Sequence, residues 1–161
     1  MKTCPRRFRN WVTKQVSGMC GCTAARDCWV KDLVDMCPSC GKKGDTSTHV
    51  TRCDDPGRET VFKGSVTELT KWMRENDTEP HLLTMISTYL MERENETMEN
   101  IAATMHNYLP HYSGRTRLER MAKAQDRLGW DCMMEGRMPK IFVEHQRTHL
   151  AHTNTRMPAN R

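Results

Sequence analysis

Residues 37–53 read Cys-Pro-Ser-Cys-Gly-Lys-Lys-Gly-Asp-Thr-Ser-Thr-His-Val-Thr-Arg-Cys, a C-x2-C-x8-H-x3-C spacing that constrains the fold more than any other feature of the chain. Two cysteines separated by two residues curl around one ion in a tight turn. Pro38 stiffens that turn, and Gly41 allows a positive φ that aims backbone N–H groups at the sulfurs. His49 and Cys53 lie four apart, so one helical turn puts both on one face. Asp45, Thr46 and Ser47 are candidate caps for that turn. Thiolate sulfur and imidazole nitrogen in a set of four are the donors of a tetrahedral zinc site. The spacing therefore predicts one structural Zn2+ on Cys37, Cys40, His49 and Cys53, with no position left open for catalysis. The competing assignment, a redox Cys-x-x-Cys, calls for a βαβ pattern that the sequence lacks.

A metal matters because the core is thin. Only 37% of the 161 residues are hydrophobic and 6% aromatic, and 13 methionines supply much of the apolar volume. Methionine fills gaps without specifying tight packing, and small cores are often supplemented by metals. Seven of the 8 cysteines fall in the first 53 residues. No apolar run approaches the roughly 20 residues that span a bilayer, and no apolar h-region follows the basic start. These features predict an intracellular protein, nuclear or cytoplasmic, with thiols or metal ligands in place of disulfides and no membrane contact. Cys4, Cys20, Cys22 and Cys28 have no common zinc spacing and read as loose thiols, with a second metal site as the alternative.

The net charge of +5 is unevenly spread. Residues 1–31 carry seven basic side chains against one acidic, residues 32–100 eight against fourteen, and residues 101–161 ten against five. The basic ends suit phosphate or an acidic protein as well as plain solvation. Lys42, Lys43 and Arg52 beside the ligands, and Arg115, Arg117, Arg120 and Lys123 on a basic helix, are the candidate nucleic-acid contacts. No phosphate-binding glycine loop, nucleophile elbow or carboxylate pair is present, so the expectation is a non-enzyme.

Periodicity predicts a mainly α chain with little or no sheet. Phe8, Trp11, Val12 and Val16 mark a short helix over 6–16, and 29–35 fits either a strand or a helical turn. Asp54-Asp55-Pro56 opens a helix over 57–75, with a break possible at Gly64-Ser65, and Pro80 opens another over 80–92. These two are expected to pack through Phe62, Leu69, Trp72, Leu83, Ile86 and Leu90, with the metal turn docked at the start of the first. Shorter helices follow at 101–109 and 115–128, and a last one begins at Pro139. His145, His149 and His152 share a face there and read as solvated. The expected organisation is a basic segment with a zinc knuckle over 1–56, a helical region over 57–152 and a disordered tail over 153–161.

The Cys-Pro-x-Cys-Gly start with its following His and Cys resembles the zinc-binding segment near the C-terminal end of non-LTR retrotransposon reverse transcriptases. Phe8 to Val12, His49 to Arg58, Gln125 to Trp130 and Glu135 to Arg137 extend a similarity to retroelement-associated proteins over most of residues 8–150. The last pair here is His-x3-Cys where many members have His-x4-Cys, and no Tyr-x-Asp-Asp polymerase signature is present. The resemblance implies a non-catalytic module that binds RNA or DNA through phosphates, alongside a reverse transcriptase or another retroelement protein. A zinc-stapled protein-interaction domain and a nonfunctional retroelement remnant are the alternatives.

Overall fold

The computed structural model describes residues 6, 10, 13–14, 17, 22–27, 29–30, 34–108 and 114–156. Most of the expected 6–16 helix, Trp11, and the thiols Cys4, Cys20 and Cys28 lie outside the described residues. The fold is mainly α. Among the described residues there is no sheet, and the one extended pairing is an isolated antiparallel bridge between Met36 and Lys43.

The chain divides into two compact units, Met1–Phe62 and Lys63–Arg161. Among its described residues the first includes the short helices α1 (Thr23–Asp27) and α2 (Ser47–Arg52). A long helix, α3 (Pro56–Glu75), runs across the division. Pro56 supplies its preset φ at the first turn, where a missing N–H costs nothing. The Asp55 carboxylate then accepts the Arg58 N–H at 2.9 Å. The helix continues through Gly64 and Ser65, where the sequence left room for a break, and Thr60, Thr67 and Thr70 turn their hydroxyls back onto carbonyls four residues earlier.

The second unit adds α4 (Pro80–Glu92), α5 (Met98–Tyr108), α6 (Arg115–Met134) and α7 (Lys140–Arg156). Helix α6 packs against α5, and α5 against α4. Their buried faces meet around Met85, Met98, Leu118, Met121 and Trp130, and the Tyr89 ring lies 5.5 Å from Trp130 at a 59° tilt. Burying each such side chain contributes roughly 1.5–3 kcal/mol. Asp126 on α6 fixes the start of α5, its two carboxylate oxygens accepting the N–H groups of Met98 at 2.9 Å and Glu99 at 2.8 Å.

Helix α6 is two pieces joined at Gly129, whose φ of 81° and ψ of 175° are non-helical. The Gln125 amide donates to the Gly129 carbonyl at 3.2 Å across the break. The turn frees Trp130 to enter the core while Leu128 points outward, 43% exposed.

Two further expectations are corrected. Leu69 and Trp72 are 41% and 59% exposed, and the buried face of α3 in this unit is Val66 and Met73 instead. The apolar stripe on that helix is wide, and the narrower, better-packed edge won. The segment 153–161 is not all irregular, since α7 continues to Arg156.

Candidate metal centre

The first unit is organised around the four predicted donors. The Cys37 N–H bonds the Lys42 carbonyl at 2.8 Å and the Gly41 N–H bonds the Cys37 carbonyl at 2.9 Å, closing a tight turn. Gly41 and Gly44 have φ of 70° and 85°, the left-handed values that a chain doubling back this sharply requires. Thr46 then caps α2, its Oγ1 accepting the His49 N–H at 3.1 Å. That cap starts the single helical turn that carries His49 and Cys53 to the two cysteines of the first turn.

The four donor atoms lie within 4.8 Å of one another. The Cys37 and Cys53 sulfurs are 3.8 Å apart, and the Cys40 sulfur is 3.3 Å from His49 Nε2. A tetrahedron with bonds of about 2.3 Å to sulfur and about 2.0 Å to nitrogen has S···S edges near 3.8 Å and S···N edges near 3.5 Å. These two edges match such a tetrahedron, and the set as a whole is close enough to hold one ion. They do not fit a disulfide, whose sulfurs would be about 2.05 Å apart, and Cys37, Cys40 and Cys53 are all free thiols. Cys37 and Cys53 are 1% and 0% exposed, whereas Cys40 and His49 are half-buried.

The electrostatics agree with a cation-seeking centre. The Cys37 thiol is pulled down to about 6, chiefly by hydrogen bonding to the Cys40 backbone, against the opposing effect of burial. For Cys40 the Lys42 backbone pulls down as well, but burial and the sulfurs of Cys37 and Cys53 together push its thiol up. Three sulfurs this close ionise together only around a positive charge.

The predicted basic neighbours separate. Lys42 is engaged, its ammonium 2.5 Å from the Asp54 carboxylate, which raises the lysine and lowers the aspartate. Lys43 is exposed, and Arg52 is half-buried and has a partner. Arg58 Nε donates to Ser39 Oγ at 2.7 Å, so the metal turn docks on the start of α3 as expected. In the second unit Arg115 pairs with Glu119 at 3.2 Å, Arg117 is half-buried, and Arg120 and Lys123 are exposed.

Two polar clusters were invisible in the sequence. Asp45, only 4% exposed, accepts both the backbone N–H and the hydroxyl of Thr23 at 2.8 Å, tying α1 to the metal loop. Glu79 caps α4 by accepting the Leu82 N–H at 2.7 Å, and its carboxylate also meets His81 Nδ1 at 2.7 Å and His145 Nε2 at 3.3 Å. His145 is thus buried and partnered, not solvated, while His149 is half-buried and His152 exposed. Burial raises the Glu79 carboxyl, but the His81 and Leu82 hydrogen bonds outweigh it and hold the group below the usual range. Partners 66 residues apart leave no local signal. Among the described residues the Cys/His set is the one group arranged to hold a metal, and no helix is long and apolar enough to cross a membrane.

Comparison of the chain with protein families, curated proteins and solved structures finds no match.

Proposed function

We propose that Cys37, Cys40, His49 and Cys53 hold one structural zinc ion, and that the chain is a non-catalytic module that binds RNA or DNA through phosphates. The carrying observation is the closed set of three sulfurs and one imidazole nitrogen within 4.8 Å. Four protein donors complete the preference of zinc and leave no open position for substrate, so the ion supplies folding energy to the first unit. Three thiolates and a neutral imidazole around Zn2+ carry a net charge of −1, which Lys42 lies close enough to offset. The nucleic-acid part rests on exposed cations without carboxylate partners among the described residues: Lys43 beside the centre, and Arg120 and Lys123 on α6. The resemblance of the motif to retroelement reverse transcriptases supports the same partner class, with a reverse transcriptase or other retroelement protein as an associated chain in the nucleus or cytoplasm.

Fluorescence-anisotropy titrations with single- and double-stranded RNA and DNA at several salt concentrations test this. Phosphate neutralisation predicts affinity that falls steeply with salt and depends little on sequence. Absence of binding at low salt by zinc-loaded protein would leave the second reading, a zinc-stapled protein-interaction domain. That reading is favoured by one observation, the exposure of Leu69 and Trp72 on α3.

A further inference from the structure

Between α5 and α6 lies a cleft of about 630 Å³, lined by Glu99 and Asn107 on one helix and Arg115, Glu119, Arg120 and Lys123 on the other. A volume of this order suits a small ligand. The two helices form the most extensive packing of the unit, and Asp126 anchors the first turn of α5 to α6 through the Glu99 N–H. The charges on the walls are mixed, and their pairing is informative. Arg115 and Glu119 satisfy each other along one helix at 3.2 Å. Arg120, Lys123 and Glu99 face the same space yet make no ion pair among the described residues. Both signs of charge therefore line one cleft, and these three side chains do not neutralise one another by an ion pair among the described residues.

We infer that this cleft takes one ribose-phosphate unit, with Arg120 and Lys123 on the phosphate and the Glu99 carboxylate and Asn107 amide on the ribose hydroxyls. A purely phosphate-binding surface would gain nothing from Glu99, which repels an anion. A carboxylate lining the same cleft as two cations is explained by a ligand that carries an anion at one end and hydroxyl donors at the other. The 2′-hydroxyl is the group by which a protein separates RNA from DNA, and an acceptor such as Glu99 reads it. This deepens the nucleic-acid reading above and rests on it for the source of the unit, which is either an RNA strand or a free ribonucleotide.

The test titrates the zinc-loaded full chain with oligouridylate, oligodeoxyuridylate, AMP and 2′-deoxy-AMP, in the wild type, the Arg120→Gln/Lys123→Gln double variant and Glu99→Gln. All three positions are exposed, and circular dichroism checks that the variants fold. The wild type should prefer the ribo form of each pair. The double variant should lose about tenfold or more for every ligand, the effect of removing a charge-assisted hydrogen bond. Glu99→Gln should bind the deoxy ligands at least as well as the wild type while the preference for ribose shrinks. Oligonucleotide binding that survives the double variant undiminished would overturn the cleft assignment and leave nucleic-acid binding standing. Equal affinity for ribo and deoxy ligands would remove the role of Glu99 and overturn the ribose assignment. Binding of AMP lost in the double variant, with no oligonucleotide binding, would support the cleft as a nucleotide site and overturn the nucleic-acid reading. No binding of any of the four would overturn both.

Discussion

Replacing Glu79 with alanine removes a carboxylate that ties the start of α4 to α7, where the Gln146 amide also accepts the Glu79 N–H at 2.9 Å and donates to the Asp77 carbonyl at 2.8 Å. Its carboxylate is 8% exposed and meets three groups, the Leu82 N–H, His81 Nδ1 and His145 Nε2. Loss of the cap costs about 0.5–2 kcal/mol, and leaving the buried His145 ring without this partner costs about 1–3 kcal/mol. Glu79→Ala should therefore lower the stability of the second unit by about 1.5–5 kcal/mol, read as a lower urea midpoint with circular dichroism as the signal. Glu79→Gln keeps an oxygen for the Leu82 N–H but loses the charge that faces two histidines, so it should fall between the two. The pH dependence has a definite sign. The folded carboxyl lies below its usual value, so in acid the unfolded chain binds the extra proton and unfolding becomes easier as pH falls. That contribution is complete above the usual glutamate value and is lost as pH drops through the depressed folded value. Glu79→Gln should flatten this part of the acid slope. A Glu79→Ala urea midpoint equal to that of the wild type, or an acid slope unchanged in Glu79→Gln, would refute the clamp.

Cys53→Ser should expose the first unit to proteolysis within residues 1–62, since structural zinc sites contribute about 10–16 kcal/mol against roughly 5–15 kcal/mol for a whole domain. The helical signal from α1 and α2, which comprise 5 and 6 residues, should be lost with it, while that of the second unit stays. Lys43→Ala should reduce the salt dependence of oligonucleotide binding by about 0.7–0.9 in log–log slope, the amount expected for one phosphate contact. Lys42→Ala should change it less, because Asp54 already engages that ammonium. Gly129→Ala should destabilise the second unit by about 1–3 kcal/mol in urea unfolding. An added Cβ would meet nothing within 4 Å, so the cost is purely that of holding an L-residue at φ 81°.

The metal donors were legible because their geometry is local. A Cys-x2-Cys turn and a His-x3-Cys helical turn each bring two donors together over a few residues, and only the eight-residue loop between them had to close. Helix starts at Pro56 and Pro80 were legible for the same reason, since proline fixes φ before any packing occurs. What failed depended on partners far along the chain. The stripe on α3 contains Val61, Phe62, Val66, Leu69, Trp72 and Met73, and periodicity alone does not say which edge of so broad a stripe meets the core. His145 was assigned to solvent because its own helix offered no reason to bury it, and that reason is Glu79, 66 residues away. Lys42 and Lys43 were indistinguishable in sequence and differ only because Asp54 reaches one of them.

The central claim concerns the ion, and zinc stoichiometry combined with X-ray absorption at the zinc edge tests it most directly. One zinc per chain bound by Cys37, Cys40, His49 and Cys53 predicts three sulfur neighbours near 2.3 Å and one nitrogen near 2.0 Å. Folded protein that carries no zinc after purification in its presence, or zinc with a different sulfur count, would contradict it.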